Sequence, residues 1–312
     1  MKVLANGNDQ KDGLSDDEKP NFALIEEVRS LLKKEFEEKG GEKVYAKQHY
    51  EDLMDRQSPL VCWRYLLYRG KAVEAAFELM KSALVWRKEY NVDSLEPAML
   101  AKEFWLKAPA GFCGKTRNGS EILFTIGKDY RKPDSSVKQI IRDFLTYLLC
   151  DFERRHKNDL DTLVLVIDQT GTGLRNIDID FSKWLVSIRD FFPNRFAAVQ
   201  VVGVPFIVRP FIRLVISWLP EHFKRIIHCG TVEQLLNDEI DSDQWPLEAG
   251  GTSNDKWRLA PPGALWNSQS KTYSEEQMEK IDEAVLFDIP QERIDQLFKM
   301  QQDYDESLGE TK

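Results

Sequence analysis

The chain has 312 residues, 43 Lys plus Arg against 52 Asp plus Glu, a net charge of −9 and a hydrophobic fraction of 42%. That composition excludes a disordered chain, supplies apolar material for one large domain or two smaller ones, and argues against a dedicated nucleic-acid binder, whose phosphate contacts need a basic surface. Its 4 Cys, at positions 62, 113, 150 and 229, show no CxxC spacing, which argues against a disulfide framework or zinc site and fits a reducing, cytoplasmic compartment.

Residues 1–20 are polar and lack the apolar core of a signal peptide, so they are expected to form a solvated tail. Phe22 to Glu38 places Phe22, Ile25, Val28, Leu31, Leu32 and Phe36 at helical spacing and stops at Gly40 and Gly41. Leu60 to Tyr68 and Val73 to Tyr90 form two more amphipathic segments divided by Gly70. Together these predict an all-helical subdomain over 21–105.

After Pro109 the pattern changes to short apolar runs alternating with helices: Glu121 to Ile126, Ser135 to His156, Thr162 to Ile167, Ile179 to Phe192, Ala197 to Val204, Phe206 to Leu219 and Arg225 to Cys229. Strands separated by single helices predict βαβ units and an α/β domain with a mainly parallel sheet over 106–252. The uninterrupted LVLVI run at 163–167 suits a strand covered on both faces. The remainder, 253–312, is helical from Tyr273 with an interruption at Pro290, and is expected to be an acidic helical extension that packs loosely or extends into solvent. From Thr231 to Lys312 there are 19 acidic and 7 basic residues, leaving 36 basic against 33 acidic in the rest. The negative charge therefore belongs to the last quarter of the chain.

Three features invite a chemical reading. Asp168, at the end of the VLVID run, either caps a turn with Thr170 or sits where α/β enzymes place chemistry. Asp168-x-Thr170 resembles the nucleophile motif of haloacid-dehalogenase-like phosphatases, although those have a second Asp where this chain has Thr170. The Gly171-Thr172-Gly173 run is too short for a dinucleotide fingerprint, and the four His are scattered, which gives no support for nucleotide or metal chemistry.

Phe206 to Leu219 carries apolar residues on nearly every side of a helix and is bounded by Pro205 and Pro220. Such a helix is either buried in a core or free to move against a cavity or membrane surface. Arg189, Arg195, Arg209, Arg213, Lys224 and Arg225 surround it, either as a solvated face or as partners for anionic lipid headgroups. The longest uncharged apolar stretch, Phe196 to Val208, has 13 residues, short of the roughly 20 that span a bilayer.

The order and spacing of several blocks between Leu60 and Thr252 resemble the CRAL-TRIO lipid-binding family. They are WRYLLYRGKAVEAAFELMKSALVWRKEYNV, VIDQTGTGLRNIDIDF, FFPNRFAAVQVVGVPFIVRPFIRLVISWL, RIIHCG and LEAGG. TGxxxIDxDF and the later Pro261-Pro262 are similar to the CRAL-TRIO half of motile sperm domain-containing proteins. Those continue into a motile-sperm-type domain and membrane anchor, neither of which is expected here.

The resemblance implies an N-terminal helical module and a sheet that, with an apolar gate helix, encloses one hydrophobic ligand. It implies a monomer without cofactor or metal that docks transiently on membranes as a cytoplasmic, peripheral protein and carries out no covalent chemistry. The expected cavity residues are Phe124, Ile126, Leu165, Ile167, Val202 and Val204, and the expected gate residues Phe206, Phe211, Ile212, Val215 and Leu219. Arg225, Asn194 and Arg69 are the expected headgroup residues. Asn194 and Arg225 stand where phosphatidylinositol-transfer members have Glu and Lys. Leu163, Leu165 and Ile188 stand where Ser and Thr hold a phosphatidylcholine headgroup, which favours a more apolar ligand or a different headgroup. Phospholipids and phosphoinositides stay open as ligands, as do two other roles: a tethering or signalling adaptor without transfer, and a phosphatase-like enzyme using Asp168.

Overall fold

A computed structural model describes residues 18–309 apart from 109, 129, 255 and 286–289, so most of the expected tail lies outside the described residues. The chain divides into two compact units, Met1–Asp93 with His156–Leu160, and Ser94–Arg155 with Asp161–Lys312.

The first unit holds four helices, α1 (Phe22–Glu38), α2 (Lys47–Met54), α3 (Pro59–Tyr68) and α4 (Val73–Glu89). Asn21 caps α1 by accepting from the amides of Ala23 and Leu24, satisfying donors that the first turn leaves free. Proline opens α3, where its missing N–H costs nothing. The apolar stripes of these helices meet in a core of Ile25, Val28, Leu32, Leu53, Trp63, Met80 and Leu84, all 1% exposed or less. Buried Arg29 ties α1 to the end of α2 by donating to the carbonyls of Leu53 (2.8 Å) and Asp55 (2.6 Å).

The second unit is built on a five-stranded sheet in the order β1 (Ala110–Lys115), β2 (Glu121–Ile126), β3 (Leu163–Asp168), β4 (Phe196–Val202) and β5 (Ile227–Gly230). β1 runs antiparallel to β2, and all later neighbours are parallel. The crossovers carry α6 (Ser135–Arg155), α7 (Ile179–Ile188), and α8 (Arg209–Ser217) with the single turn α9 (Glu221–Lys224). The unit is completed by α5 (Lys102–Lys107), α10 (Val232–Asp238), α11 (Asn267–Ser270), α12 (Glu275–Val285) and α13 (Gln291–Ser307). The α/β architecture expected from the alternation is present, with a helical N-terminal region ahead of a mainly parallel sheet.

Because successive residues of a strand point to opposite faces, the sheet has two apolar sides. On one, Ile122, Phe124, Val164, Val166 and Val202 pack with Leu106, Leu235, Ile240 and Trp245. Phe124 and Trp245 meet edge to face at 4.9 Å between ring centroids, a favoured aromatic geometry. The C-terminal segment closes this side. Leu297 of α13 is fully buried in the same cluster, and Gln301 accepts from the Ala260 amide at 2.7 Å. Lys102 and Asp305 pair at 2.7 Å. The segment is therefore not merely a loosely packed or solvated extension: most of its acidic residues are exposed, but Asp305 pairs with buried Lys102 and its sparse apolar positions finish a core.

Two strand-level differences have clear causes. β1 escapes a sequence reading because Gly111 and Gly114 interrupt its alternation. A Cβ on Gly111 would lie 2.6 Å from the Trp257 ring and one on Gly114 2.7 Å from Gln244, so small residues are needed there. The apolar segment at 206–219 is not one helix: Phe206–Val208 form a tight 3-10 turn before α8, with Pro210 in the first turn of the helix.

Candidate functional site

The other side of the sheet does not close. The residues offset by one from the packed set, Leu123 and Thr125 on β2, Leu165 and Ile167 on β3, and Val199 and Val201 on β4, face a cavity of about 290 Å³. The register places them in two rows across the sheet, Leu123–Leu165–Val199 and Thr125–Ile167–Val201. Opposite this floor stand Phe144 and Leu149 of α6, Phe181 and Leu185 of α7, and Phe211, Ile212, Val215 and Ile216 of α8, followed by Leu219.

The spacing 211, 212, 215, 216, 219 is one helical face. No residue of α8 itself is buried, and Arg209, Arg213 and Leu214 are exposed on its outer side. The core alternative for this segment is therefore not what the fold adopts; the helix is a one-sided cover.

Of the six residues expected on the cavity floor, Leu165 and Ile167 line it, and Ile126, at the end of β2, borders it while belonging to the packed cluster. Phe124 and Val202 belong to the opposite, packed face, a correction that follows from strand alternation. Val204 lies beyond β4, half-buried and outside the lining. Leu123, Thr125, Val199 and Val201 were missed, because parity along one strand groups residues of that strand alone, and only the register of β2 and β4 against β3 puts these four beside Leu165 and Ile167. Of the expected gate residues, Phe211, Ile212, Val215 and Leu219 face the cavity, whereas Phe206 is 83% exposed in the turn before α8. Ile207 is exposed beside it.

None of the expected headgroup residues is in the cavity lining. Arg225 and Asn194 are exposed and outside the lining. Asn194 has φ +56°, a left-handed turn position that asparagine tolerates well. Arg69 belongs to the helical unit, where its guanidinium lies 5.4 Å from the centroid of the Tyr68 ring. The surrounding cations divide by role. Arg195 is 1% exposed and donates to the Asp161 carbonyl, Lys224 pairs with Glu221 at 2.7 Å, and Arg189 lines the cavity.

Polar groups collect at the cavity end near the C-termini of β2 and β3, where Tyr130, Gln169, Asn176 and Asp178 contribute to the wall. Asp178 caps α7 by accepting from the Phe181 amide (3.0 Å), and also accepts from the Tyr130 hydroxyl (2.9 Å) and pairs with Lys138 (2.7 Å). Burial acts to raise its pKa, yet the bonds from Lys138, Phe181 and Tyr130 together hold the carboxyl below its ordinary value. Burial, then the bond to Asp178, push the Tyr130 phenol well up, so it stays neutral.

Asp168 is engaged in its own turn: Oδ1 accepts from the Thr170 amide at 2.8 Å. Across from it Gly203, at φ +66°, leaves room that a Cβ would take only by coming within 2.0 Å of the Thr170 hydroxyl. The turn-capping alternative accounts for this motif. No described helix is long and apolar enough to cross a membrane.

Residues 107–251 match the family described as CRAL/TRIO domain. Human tyrosine-protein phosphatase non-receptor type 9 is 24% identical over 247 residues, covering 75% of this chain and 39% of that protein. This chain therefore spans about two fifths of that relative's length. A CRAL-TRIO domain-containing protein of Schizosaccharomyces pombe is 22% identical over 247 residues, covering 73% of this chain and 68% of that protein. Among solved structures, the crystal structure of Sfh5 matches with a TM-score of 0.54 at 15% identity, covering 72% of this chain and 84% of that one. The likeness is one of fold.

Proposed function

We propose that this chain, whose residues 107–251 match the CRAL/TRIO domain family, holds one hydrophobic lipid in the cavity beneath α8 and exchanges it at membrane surfaces. The observation that carries this reading is the unfilled apolar space of about 290 Å³ between the β2–β4 floor and the α8 face. Protein interiors normally close to crystal-like density, and an apolar pocket with a few polar groups is the usual form of a ligand site.

In this reading α8 is the movable wall. It contributes no fully buried residue, so lifting it withdraws no side chain from the packed core. Exposed Phe206, Ile207 and Leu214 would enter the lipid interface, while Arg209 and Arg213 meet anionic headgroups at about 1 kcal/mol each. Moving a lipid chain through water costs about 0.8 kcal/mol per methylene, and a lined cavity offsets that cost.

Transfer of a labelled lipid between liposomes tests the proposal. Phe211→Asp should leave the far-UV and thermal profiles intact while abolishing uptake, and unchanged uptake would remove the α8 assignment. A wild-type protein that binds liposomes but moves no lipid would establish the adaptor role instead. Native mass spectrometry of the purified protein should show a co-purified lipid.

A further inference from the structure

We infer that the chain docks on anionic bilayers by a fixed rim at the C-terminal edge of the sheet, with Leu174 and Ile179, between β3 and the start of α7, as anchors separate from α8. This rests on the lipid-binding reading and names the surface by which the membrane is met.

Parallel strands send the loops that follow them to one edge, and β2, β3 and β4 end level, with Ile126 beside Asp168 and Asp168 beside Val202. Those loops are tied to one another. Asn176 donates to the carbonyls of Lys128 (2.8 Å) and Tyr130 (2.7 Å) and accepts from the Gly173 amide (2.7 Å), while Gly203 lies against Thr170. On this braced support four large apolar side chains face solvent: Leu174 is 65% exposed, Ile179 46%, Phe206 83% and Ile207 56%. A single exposed apolar residue is ordinary. Here the hydrogen bonds of Asn176 fix the turn that carries Leu174, so that side chain is held out rather than left loose.

The charge of the rim is opposite to that of the chain. Residues 127–133, 169–179 and 203–209 hold five basic residues, Lys128, Arg131, Lys132, Arg175 and Arg209, against two acidic ones, in a protein of net charge −9. One of those two, Asp178, is buried and paired with Lys138 at 2.7 Å, whereas Arg131, Lys132, Arg175 and Arg209 are exposed. Apolar tips among cations suit a lipid interface, where the tips enter the acyl boundary and the cations meet anionic headgroups. A protein partner needs a matching pocket for each separate tip, but fluid lipid shapes itself around them.

The same loops carry Tyr130, Gln169 and Asn176 of the cavity's polar wall, so docking here brings that wall to the headgroup layer. It also separates holding from opening. A wall that moves is a poor sole anchor, and the β3–α7 loop, braced on the loop after β2, keeps its hold while α8 lifts.

The test is co-sedimentation of the full chain with vesicles of phosphatidylcholine alone and of equal parts phosphatidylcholine and phosphatidylserine. We expect tighter binding to the anionic vesicles, a loss of about tenfold in Leu174→Glu with an unchanged melting profile, a further loss on adding Ile179→Glu, and a gain in Leu174→Trp. Leu308→Glu, on an exposed leucine at the end of α13, should bind as the wild type does. Leu174→Glu should also retain a labelled lipid delivered from ethanol, because Leu174 is outside the cavity lining. Undiminished vesicle binding by Leu174→Glu, an equal loss in Leu308→Glu, or equal wild-type binding to the two vesicles overturns the inference. If Phe206→Glu loses binding while Leu174→Glu keeps it, docking belongs to the α8 side alone and the lipid-binding reading stands. If the wild type binds neither vesicle, the inference falls and exchange at membranes with it; capture of a polyglutamate peptide in that case assigns the rim to an acidic protein partner.

Discussion

The two faces of the sheet are made by the same strands from neighbouring residues of similar type, yet one is packed solid and the other is left hollow. Phe124 on β2 is fully buried against Trp245, whereas Leu123, one residue earlier, looks into the cavity. What separates them is the cover. On the packed face, loops and C-terminal helices bring Trp245, Trp257 and Leu297 to the strands. On the hollow face, α6, α7 and α8 supply a ring of apolar side chains that do not meet in the middle. Apolar character therefore specifies burial, while facing volumes decide whether burial ends in a core or a container.

The largest effect that should sharpen this contrast is Phe124→Ala, expected to cost about 3–5 kcal/mol in denaturant unfolding because it empties a filled site. Leu165→Ala, on the cavity row, should cost less than about 2 kcal/mol, since part of its surroundings is already open. Equal losses in the two variants would break the distinction between the faces. Filling is the converse experiment: Ile167→Trp should change stability by about 1 kcal/mol or less and abolish lipid uptake, whereas overpacking the closed face at Val166 should cost about 1–3 kcal/mol.

A smaller effect concerns acid. With its pKa held below the ordinary 3.8, Asp178 contributes stability that is fully present above that value and is lost as pH falls below it towards the folded pKa. Retention of a bound probe should therefore weaken below about pH 4, and Asp178→Asn should flatten that dependence. The same sign rule applies in the helical unit. Burial, with Arg87 and Arg64 adding to it, holds His49 well below its ordinary 6.5. Stability there should fall as pH drops below 6.5, a slope that His49→Gln would remove in a thermal-melt series.

Much of this was legible in the sequence. The alternation of strands and helices after Pro109 predicted the α/β domain, and the LVLVI run predicted a strand covered on both sides, because each follows from local periodicity. The side of the sheet a residue faces depends on register between strands as well as parity within one, and Phe124 and Val202 were misplaced because sequence alone does not supply that register. Arg189 could not be told from Arg225 by sequence, since both are cations flanking apolar helices, and only the fold turns one inward. β1 was hidden because the residues that fit it, Gly111 and Gly114, are selected by the approach of Trp257 and Gln244 from far along the chain.

The burial of Leu297 and the Gln301–Ala260 hydrogen bond also bear on how the protein can be divided. The family match ends at residue 251, but the packed face of the sheet is not finished there. A fragment cut at that boundary would leave its aromatic and aliphatic face partly uncovered, and contiguous exposed apolar surface of that kind drives association. Such a fragment should be poorly soluble when expressed alone, so the smallest autonomous piece is set by α13 rather than by the extent of the recognisable domain.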